Sequence, residues 1–141
     1  MRPVTLDASV ILKWYLHLPD EQDLPQAGDI LKAILQERLT LVQPPHTLLE
    51  VAAVLVRERP ERNAVEIPDL QSVLLMGRTV ASNAMLNRAL ALSRQLDHHL
   101  FDTLYHAVAL EEGATLITAD RRYFEKAQGM GSIVLLEDYP K

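Results

Sequence analysis

The sequence has 141 residues, of which 48% are hydrophobic and 23% charged, a composition typical of a folded domain rather than of a disordered chain. It contains no cysteine, which excludes a disulfide framework, a thiolate metal site and a cysteine nucleophile. The net charge of −5 argues against a broad basic nucleic-acid surface. We expect one domain over residues 1–141, with no leader or membrane span, located in the cytoplasm.

The hydrophobic pattern predicts short strands that alternate with helices. The predicted elements of the first half are a strand over 2–6, a helix over 10–17 capped by Ser9, a Pro-rich loop over 19–28, a helix over 29–38, a strand over 39–42 and a helix over 46–58. Those of the second half are a charged turn over 57–68, a helix over 69–77, a strand over 78–82, helices over 84–96 and 100–113, a strand over 114–118, a helix over 121–128 and a strand over 132–136. This alternation predicts an α/β fold in which helices cover both faces of a parallel sheet.

Two carboxylates follow strands of this predicted sheet. Asp7 comes directly after the first strand, and Asp120 comes two residues after Thr118, the last residue of the "ATLIT" strand. The carboxyl ends of parallel strands are where open α/β sheets bind their ligands. Both acids have an ordinary alternative role, because Asp is also a common residue at helix starts.

Glu50 interrupts the most apolar stretch of the chain, in which the other eight residues of 48–56 are hydrophobic. We expect its helix to be buried on most sides, and a buried carboxylate requires a positive partner. Arg57, two turns later, is one candidate, and a cation site is the other. Asp102, in the first turn of the helix over 100–113, lies among residues of core type, although an acid there also suits the helix dipole.

Four carboxylates in one crevice would repel one another and raise their pKa values unless a cation neutralised them. Oxygen ligands alone suit Mg²⁺ or Mn²⁺, which are commonly held by a few carboxylates together with substrate phosphate. Hydrolysis of a phosphodiester bond is the chemistry that such a site serves. A site of this kind would also offset most of the negative net charge.

The segments "VTLDASVILKWY", "PHTLLEVAAVLVRE", "HHLFDTLYHAVALEEGATLITADRRYFEKA" and "SIVLL" resemble the PIN-domain ribonucleases. The likeness is greatest to the VapC-like toxins of type II toxin–antitoxin pairs, and it runs from about Val4 to Leu136. Each motif alone is weak, but the ordered set of four acids is specific.

The resemblance implies a three-layer α/β/α fold with a central parallel sheet of four or five strands. It implies a Mg²⁺- or Mn²⁺-dependent endoribonuclease whose catalytic and metal-binding residues are Asp7, Glu50, Asp102 and Asp120. Ser9 and Thr118 match the hydroxyl positions that assist such sites. The resemblance further implies a homodimer and a small antitoxin partner, for which Trp14 and Tyr15 are candidate contacts unless they belong to the core.

RNA phosphate has candidate partners in Arg121 and Arg122, with Lys126 nearby, and a second candidate group consists of Arg57, Arg59 and Arg62. His106, one turn after Asp102, is expected to be a core-edge histidine rather than a ligand. Asp97, His98 and His99 are expected to form a polar turn rather than a ligand set.

Two other functions remain open from the sequence. A catalytically silent PIN-type module would bind RNA or protein without cutting it. A phosphatase that uses Asp7 as nucleophile is disfavoured, because the haloacid-dehalogenase pattern requires a second Asp where Ser9 stands. A dinucleotide-binding protein is excluded, because no G-x-G-x-x-G follows the first strand.

Overall fold

The computed structural model describes residues 2–17 and 24–140. Five strands form one parallel sheet, β1 (Arg2–Leu6), β2 (Leu39–Gln43), β3 (Arg78–Thr79), β4 (Thr115–Thr118) and β5 (Ile133–Leu135). The α-helices of the described ranges are α1 (Ala8–Ile11), α2 (Leu24–Leu35), α3 (Thr47–Glu58), α4 (Asn63–Leu75), α5 (Asn83–Leu96), α6 (Leu100–Glu112) and α7 (Arg121–Ala127). The predicted α/β class with a parallel sheet is confirmed. None of these helices combines the length and apolarity needed to cross a bilayer.

The strand order is β3-β2-β1-β4-β5, so β1 lies at the centre of the sheet. The chain proceeds from β1 through β2 to β3 on one side, and β4 and β5 then fill the other side. The order of the strands therefore reverses between β1 and β4. In open α/β sheets the crevice at such a reversal, outside the carboxyl ends of the strands, is the usual ligand site.

Alternate residues of the strands point to opposite faces of the sheet and build separate cores. Leu41 packs with α1, α2, α3 and α4, whereas its neighbour Val42 packs with α5 and α6. In β4, Ile117 joins the first core, and Leu116 joins a cluster with α6 and α7. Helices therefore cover both faces, which gives the three layers that the resemblance implied.

Several predicted elements have different bounds in the structure. The helix predicted over 10–17 begins at Ala8, tightens to a 3₁₀ turn over Leu12–Trp14, and includes Ser9 instead of being capped by it. The predicted loop over 19–28 is helical from Leu24, and its earlier residues lie outside the described ranges. The charged turn predicted over 57–68 is helical from Asn63 onward. The predicted turn extended too far because Pro68 lies inside α4 instead of before it.

The helix that carries Glu50 is not covered on most sides, so that expectation was wrong. Leu49 is 73% exposed and Val56 is 55% exposed, while Val51 and Leu55 on the other side of α3 are fully buried. α3 is thus an ordinary helix with one face in the core and one apolar face in solvent. Of the two alternatives for Trp14 and Tyr15, the structure favours the core one, because both side chains pack in or against the first core, where Tyr15 also donates to Asp69.

Candidate metal and active site

Asp7 and Thr118 meet at the carboxyl edge of the sheet because β1 and β4 are paired neighbours. The Thr118 hydroxyl donates to Oδ2 of Asp7, and the Ser9 hydroxyl donates to Oδ1 of the same carboxylate. Ser9 Oγ also accepts from the backbone N–H of Ala119 at 3.0 Å, and Thr118 Oγ1 accepts from that of Asp120 at 2.9 Å. The two hydroxyls thus orient Asp7 and connect the first turn of α1 to the segment after β4.

Asp7 has an unusually high pKa for an aspartate. Burial of its carboxyl raises the pKa to about 6, although the hydroxyls of Ser9 and Thr118 act in the opposite direction. The negative charges of Asp102 and Asp120 also contribute to this raised pKa of Asp7. These three acids therefore share one electrostatic environment, and a cation in it would be stabilised.

Asp102 and Asp120 lie close together beside a histidine that the sequence had not marked as part of the site. Among the residues in the described ranges, the only group of three or more potential ligands whose atoms all lie within 4.8 Å of one another consists of His98, Asp102 and Asp120. Asp102 is held by a 2.7 Å hydrogen bond from Nε2 of His98 to its Oδ2. Asp120 is the N-cap of α7, and its Oδ1 accepts from the N–H of Tyr123 at 3.0 Å. Asp120 therefore caps α7, as one of its two expected roles required, and also belongs to the cluster.

The hydrogen-bond partners of His98 indicate which of its ring nitrogens carries the proton. Lys126 Nζ lies 3.2 Å from Nδ1 of His98, and an ammonium group can only donate. Nδ1 must then carry the lone pair, so the proton is on Nε2 and is donated to Asp102. In this tautomer His98 orients the Asp102 carboxylate rather than offering its own Nε2 lone pair, as ligand-supporting residues commonly do.

Glu50 lies in the first turn of α3, and its partner is not Arg57. Tyr105 donates its hydroxyl to Oε1 of Glu50 at 2.8 Å, whereas Arg57 pairs with Glu58 at 3.0 Å. The pKa of Tyr105 is strongly raised by burial and by the charge of Glu50, with a smaller effect from Asp7. Glu50 is therefore in electrostatic range of the cluster, although it is not one of the three residues within 4.8 Å of one another.

His46 contributes a polar atom without a partner close to Glu50. Its Nε2 donates to the carbonyl of Phe101 at 2.9 Å, so its Nδ1 carries a lone pair, and that atom is buried with no hydrogen bond from the described residues. The ring packs against Tyr105 with centroids 4.6 Å apart. Burial lowers the pKa of His46, while Glu50 and Asp102 act against that shift.

A donor set of carboxylate oxygens, each oriented by a hydroxyl, an N–H or an imidazole, fits a divalent cation that prefers oxygen ligands. His98 bonds to one oxygen of Asp102, and Tyr123 bonds to one oxygen of Asp120, so each carboxylate keeps its second oxygen for a cation. The residues present therefore fit the cation that the sequence implied.

A family model of the PIN domain matches residues 4–129 of the chain. The chain belongs to the PIN-domain family. No curated protein matches the chain. Similar solved structures include PAE2754 from Pyrobaculum aerophilum, with 21% identity over 96% of this chain and 92% of that chain and a TM-score of 0.65.

Two further PIN-like structures come from toxin–antitoxin pairs. A toxin–antitoxin complex from Klebsiella pneumoniae is 15% identical, covers 94% of this chain and 97% of that chain, and has a TM-score of 0.68. VapBC2 from Rickettsia felis, bound to a DNA fragment from its promoter, is 18% identical over 94% of this chain and 96% of that chain, with a TM-score of 0.65. At these identities the likeness establishes the fold of the PIN domain.

The sequence predicted His98 to be part of a polar turn rather than of a ligand set, so its place beside the acids of this PIN domain was not anticipated. His98 precedes Asp102 by four residues, which is the spacing of neighbours on one helix face, but that spacing was weighed only for the pair of Asp102 and His106. His106 is instead fully buried, with Nδ1 at 2.9 Å from the Tyr123 hydroxyl and Nε2 at 2.8 Å from the Gly131 carbonyl. The expectation of a structural role for His106 is confirmed.

Arg121 and Arg122 lie in different surroundings. Arg121 forms an ion pair with Glu137 at 2.5 Å, which makes it a poor candidate for contact with RNA. Arg122 lines a cavity near His98. Of the two arginines that the sequence singled out, Arg122 is the one near the acidic cluster.

Proposed function

We propose that this PIN domain is a metal-dependent endoribonuclease that hydrolyses phosphodiester bonds at Asp7, Glu50, Asp102 and Asp120. The observation that carries the proposal is the meeting of Asp102 and Asp120, whose potential ligand atoms lie within 4.8 Å of each other in the electrostatic field of Asp7. The crevice at the strand-order reversal is where an α/β sheet places chemistry. Family membership supports a nuclease, and the toxin–antitoxin neighbours support a VapC-like toxin.

Asp102 and Asp120 would hold the cation, with Asp7 completing the set and Glu50 at its margin. When bound, Mg²⁺ or Mn²⁺ supplies Lewis-acid polarisation of the phosphate and of a water molecule. The residues of the chain position these acids: Ser9 and Thr118 fix the Asp7 carboxylate, and Tyr105 fixes that of Glu50. Orientation of this kind before substrate arrives is what makes a carboxylate cluster catalytic.

The proposal includes a small antitoxin partner, a homodimer, and action in the cytoplasm. Apolar side chains on α3 and α4 provide surface for protein contacts, with Leu49, Val56, Val65 and Leu75 between 55% and 84% exposed. Exposed apolar groups on neighbouring helices favour a protein interface. This surface replaces the one around Trp14 and Tyr15 that was expected from the sequence.

The test of the proposed function is cleavage of a pool of single-stranded and structured RNAs by the wild-type chain in Mg²⁺, in Mn²⁺ and in EDTA. Asp7→Asn and Asp102→Asn should each abolish metal-dependent cleavage and preserve the circular dichroism spectrum. Asp29→Asn is the matched control, because Asp29 is an exposed acid on α2 away from the cluster. It should cleave like the wild type.

Metal-dependent cleavage retained in both site variants would refute the assignment of the site. Absence of cleavage by the wild type on every RNA, together with tight RNA binding, would instead favour the silent RNA-binding module.

A further inference from the structure

A cavity of about 470 Å³ adjoins the acidic cluster and is basic in character. It is formed where the end of α5, the turn before α6 and the outer face of α7 meet. The charged and titratable side chains that line it are Arg94, Asp97, His98, His99, Arg122 and Lys126. His98 belongs to both the cavity and the acidic cluster, so the two sites share a wall.

Neither arginine of the cavity forms an ion pair with a carboxylate of the described residues. Within the part of the chain that the structure describes, the side chain of neither Arg94 nor Arg122 forms a hydrogen bond or an ion pair. The arginines that do pair with carboxylates are Arg57, Arg59, Arg78, Arg88 and Arg121. Two guanidinium groups left unpaired in one cavity, on a chain of net charge −5, favour an anionic ligand.

Lys126 and the start of α6 add to this preference for an anion. Lys126 Nζ lies 2.9 Å from the Asp97 carbonyl and 3.2 Å from Nδ1 of His98, and these two contacts hold the ammonium group at the wall of the cavity. The N-cap residue of α6, His99, makes no side-chain capping bond, and Leu100 also lines the cavity. The positive end of a 13-residue helix is thus uncapped beside the unpaired arginines. The single carboxylate of the lining, Asp97, does not balance these charges.

We propose that the cavity binds the nucleotide next to the scissile phosphate of a single-stranded RNA, with its backbone phosphate on Arg94 and Arg122. This inference rests on the proposed function, since it places the cleaved phosphate at the acidic cluster. A volume of 470 Å³ suits a nucleotide better than a bare phosphate. The exposed ring of His99 offers a stacking surface, and only an unpaired base is free to stack on a side chain.

Binding in EDTA tests this without any cleavage. The probe is a fluorescent single-stranded RNA of about eight nucleotides, titrated with wild type and with the Arg94→Gln, Arg122→Gln double variant over a series of salt concentrations. We expect the affinity of the double variant to fall about tenfold, and the salt slope to decrease by about 0.7 for each RNA phosphate that the protein no longer neutralises. Both arginines are exposed, so the melting temperature should not change.

The Lys32→Gln, Arg38→Gln double variant is the matched control, because it removes the same formal charge from exposed side chains on α2 and directly before β2, away from the cavity. It should leave affinity and salt slope near the wild-type values. An equal decrease in both double variants, or no decrease in the cavity variant, would overturn the proposal. In competition, uridine monophosphate should displace the RNA at lower concentration than inorganic phosphate, and equal potency would contradict a nucleotide site.

Measurements of RNA cleavage and RNA binding distinguish failure of the cavity proposal from failure of the nuclease proposal. If the wild type cuts RNA and the cavity variant binds and cuts it equally well, the cavity proposal is refuted while the nuclease stands. If the wild type never cuts RNA but RNA affinity falls only in the cavity variant, the nuclease is refuted while the cavity stands.

Discussion

His98 donates its Nε2 proton to Oδ2 of Asp102 across 2.7 Å, and Lys126 contacts the other ring nitrogen at 3.2 Å. The imidazole therefore connects a cation on α7 to an acid on α6. His98 has only 8% of its side chain exposed, so this orientation is held by packing as well as by hydrogen bonds. The T-shaped contact with Tyr123, with ring centroids 4.8 Å apart, belongs to the same packing.

Replacing His98 by alanine should weaken metal binding, because Asp102 loses the donor that orients it. We expect a decrease in Mn²⁺ affinity of about tenfold or more, as for other residues that support metal ligands. Isothermal titration of Mn²⁺ into the two proteins measures it. His98→Gln, whose amide can still donate to Asp102, should recover part of the affinity. A wild-type affinity in His98→Ala would show that Asp102 does not depend on this bond.

In the metal-free protein, the free energy of unfolding should be greater at acidic pH because of the raised pKa of Asp7. Its folded-state pKa of about 6 lies above the ordinary value of 3.8, so the folded protein retains a proton that the unfolded chain releases. This stabilisation is complete below pH 3.8 and is lost as the pH rises through 6. It amounts to roughly 3 kcal/mol at most. Urea unfolding in EDTA at several pH values measures the free energy of unfolding.

Asp7→Asn removes this titration and serves as the reference for it. The difference in unfolding free energy between variant and wild type should grow between pH 4 and 6, which are the limits set by the two pKa values. Other groups, such as His46 with its lowered pKa, titrate in both proteins and cancel in the difference. Parallel pH profiles of the two proteins would contradict a raised pKa for Asp7.

Mn²⁺ should raise the melting temperature of the wild type but not that of Asp102→Asn. A ligand at a hundred times its dissociation constant adds about 2.7 kcal/mol, which corresponds to several degrees for a domain of this size. Thermal unfolding in EDTA and in excess Mn²⁺ gives the two shifts. An equal rise in both proteins would place the bound ion elsewhere on the chain.

Comparing Tyr105→Phe with Glu50→Gln should distinguish the effect of the hydrogen bond that positions Glu50 from the effect of its negative charge. The change removes the 2.8 Å hydrogen bond to Glu50 and leaves the buried ring in place, so we expect a loss of about 1 kcal/mol in the free energy of unfolding. Glu50→Gln keeps an acceptor for Tyr105, and the metal-free protein should then be at least as stable as the wild type, because repulsion among the acids is reduced. Urea titrations measure both.

Strong destabilisation by Glu50→Gln would mean that the negative charge itself has a structural role. Cleavage assays on the same two variants complete the comparison: Glu50→Gln should lose activity, and Tyr105→Phe should retain a measurable fraction.

The sequence was sufficient to predict the parallel sheet and the place of Asp7 and Asp120, because both acids end strands and strand ends coincide at one edge. The sequence also indicated that Glu50 needs a partner, but the partner in the structure is the Tyr105 hydroxyl rather than a positive group, and the role of Glu50 at a cation site stays a prediction. It misjudged how much of α3 is covered, because hydrophobic periodicity does not distinguish a face packed in the core from a face such as Leu49 and Val56 left in solvent.

Other features depend on contacts between distant parts of the chain. The role of His98 is set by Lys126, which lies 28 residues further along on α7, and no local pattern indicates that pairing. The start of α4 at Asn63 was hidden by Pro60, Pro68 and the surrounding charges, which are typical of a turn. Tertiary packing decided these elements against their local signals.

The hydrogen bond between Thr118 and Asp7 joins residues 111 positions apart. Asp7 and Asp120 are likewise far apart along the chain, and they come together only because β1 and β4 pair. A fragment that contains β1 and β2 but ends before β4 would therefore lack the acid cluster, even if its helices and strands folded.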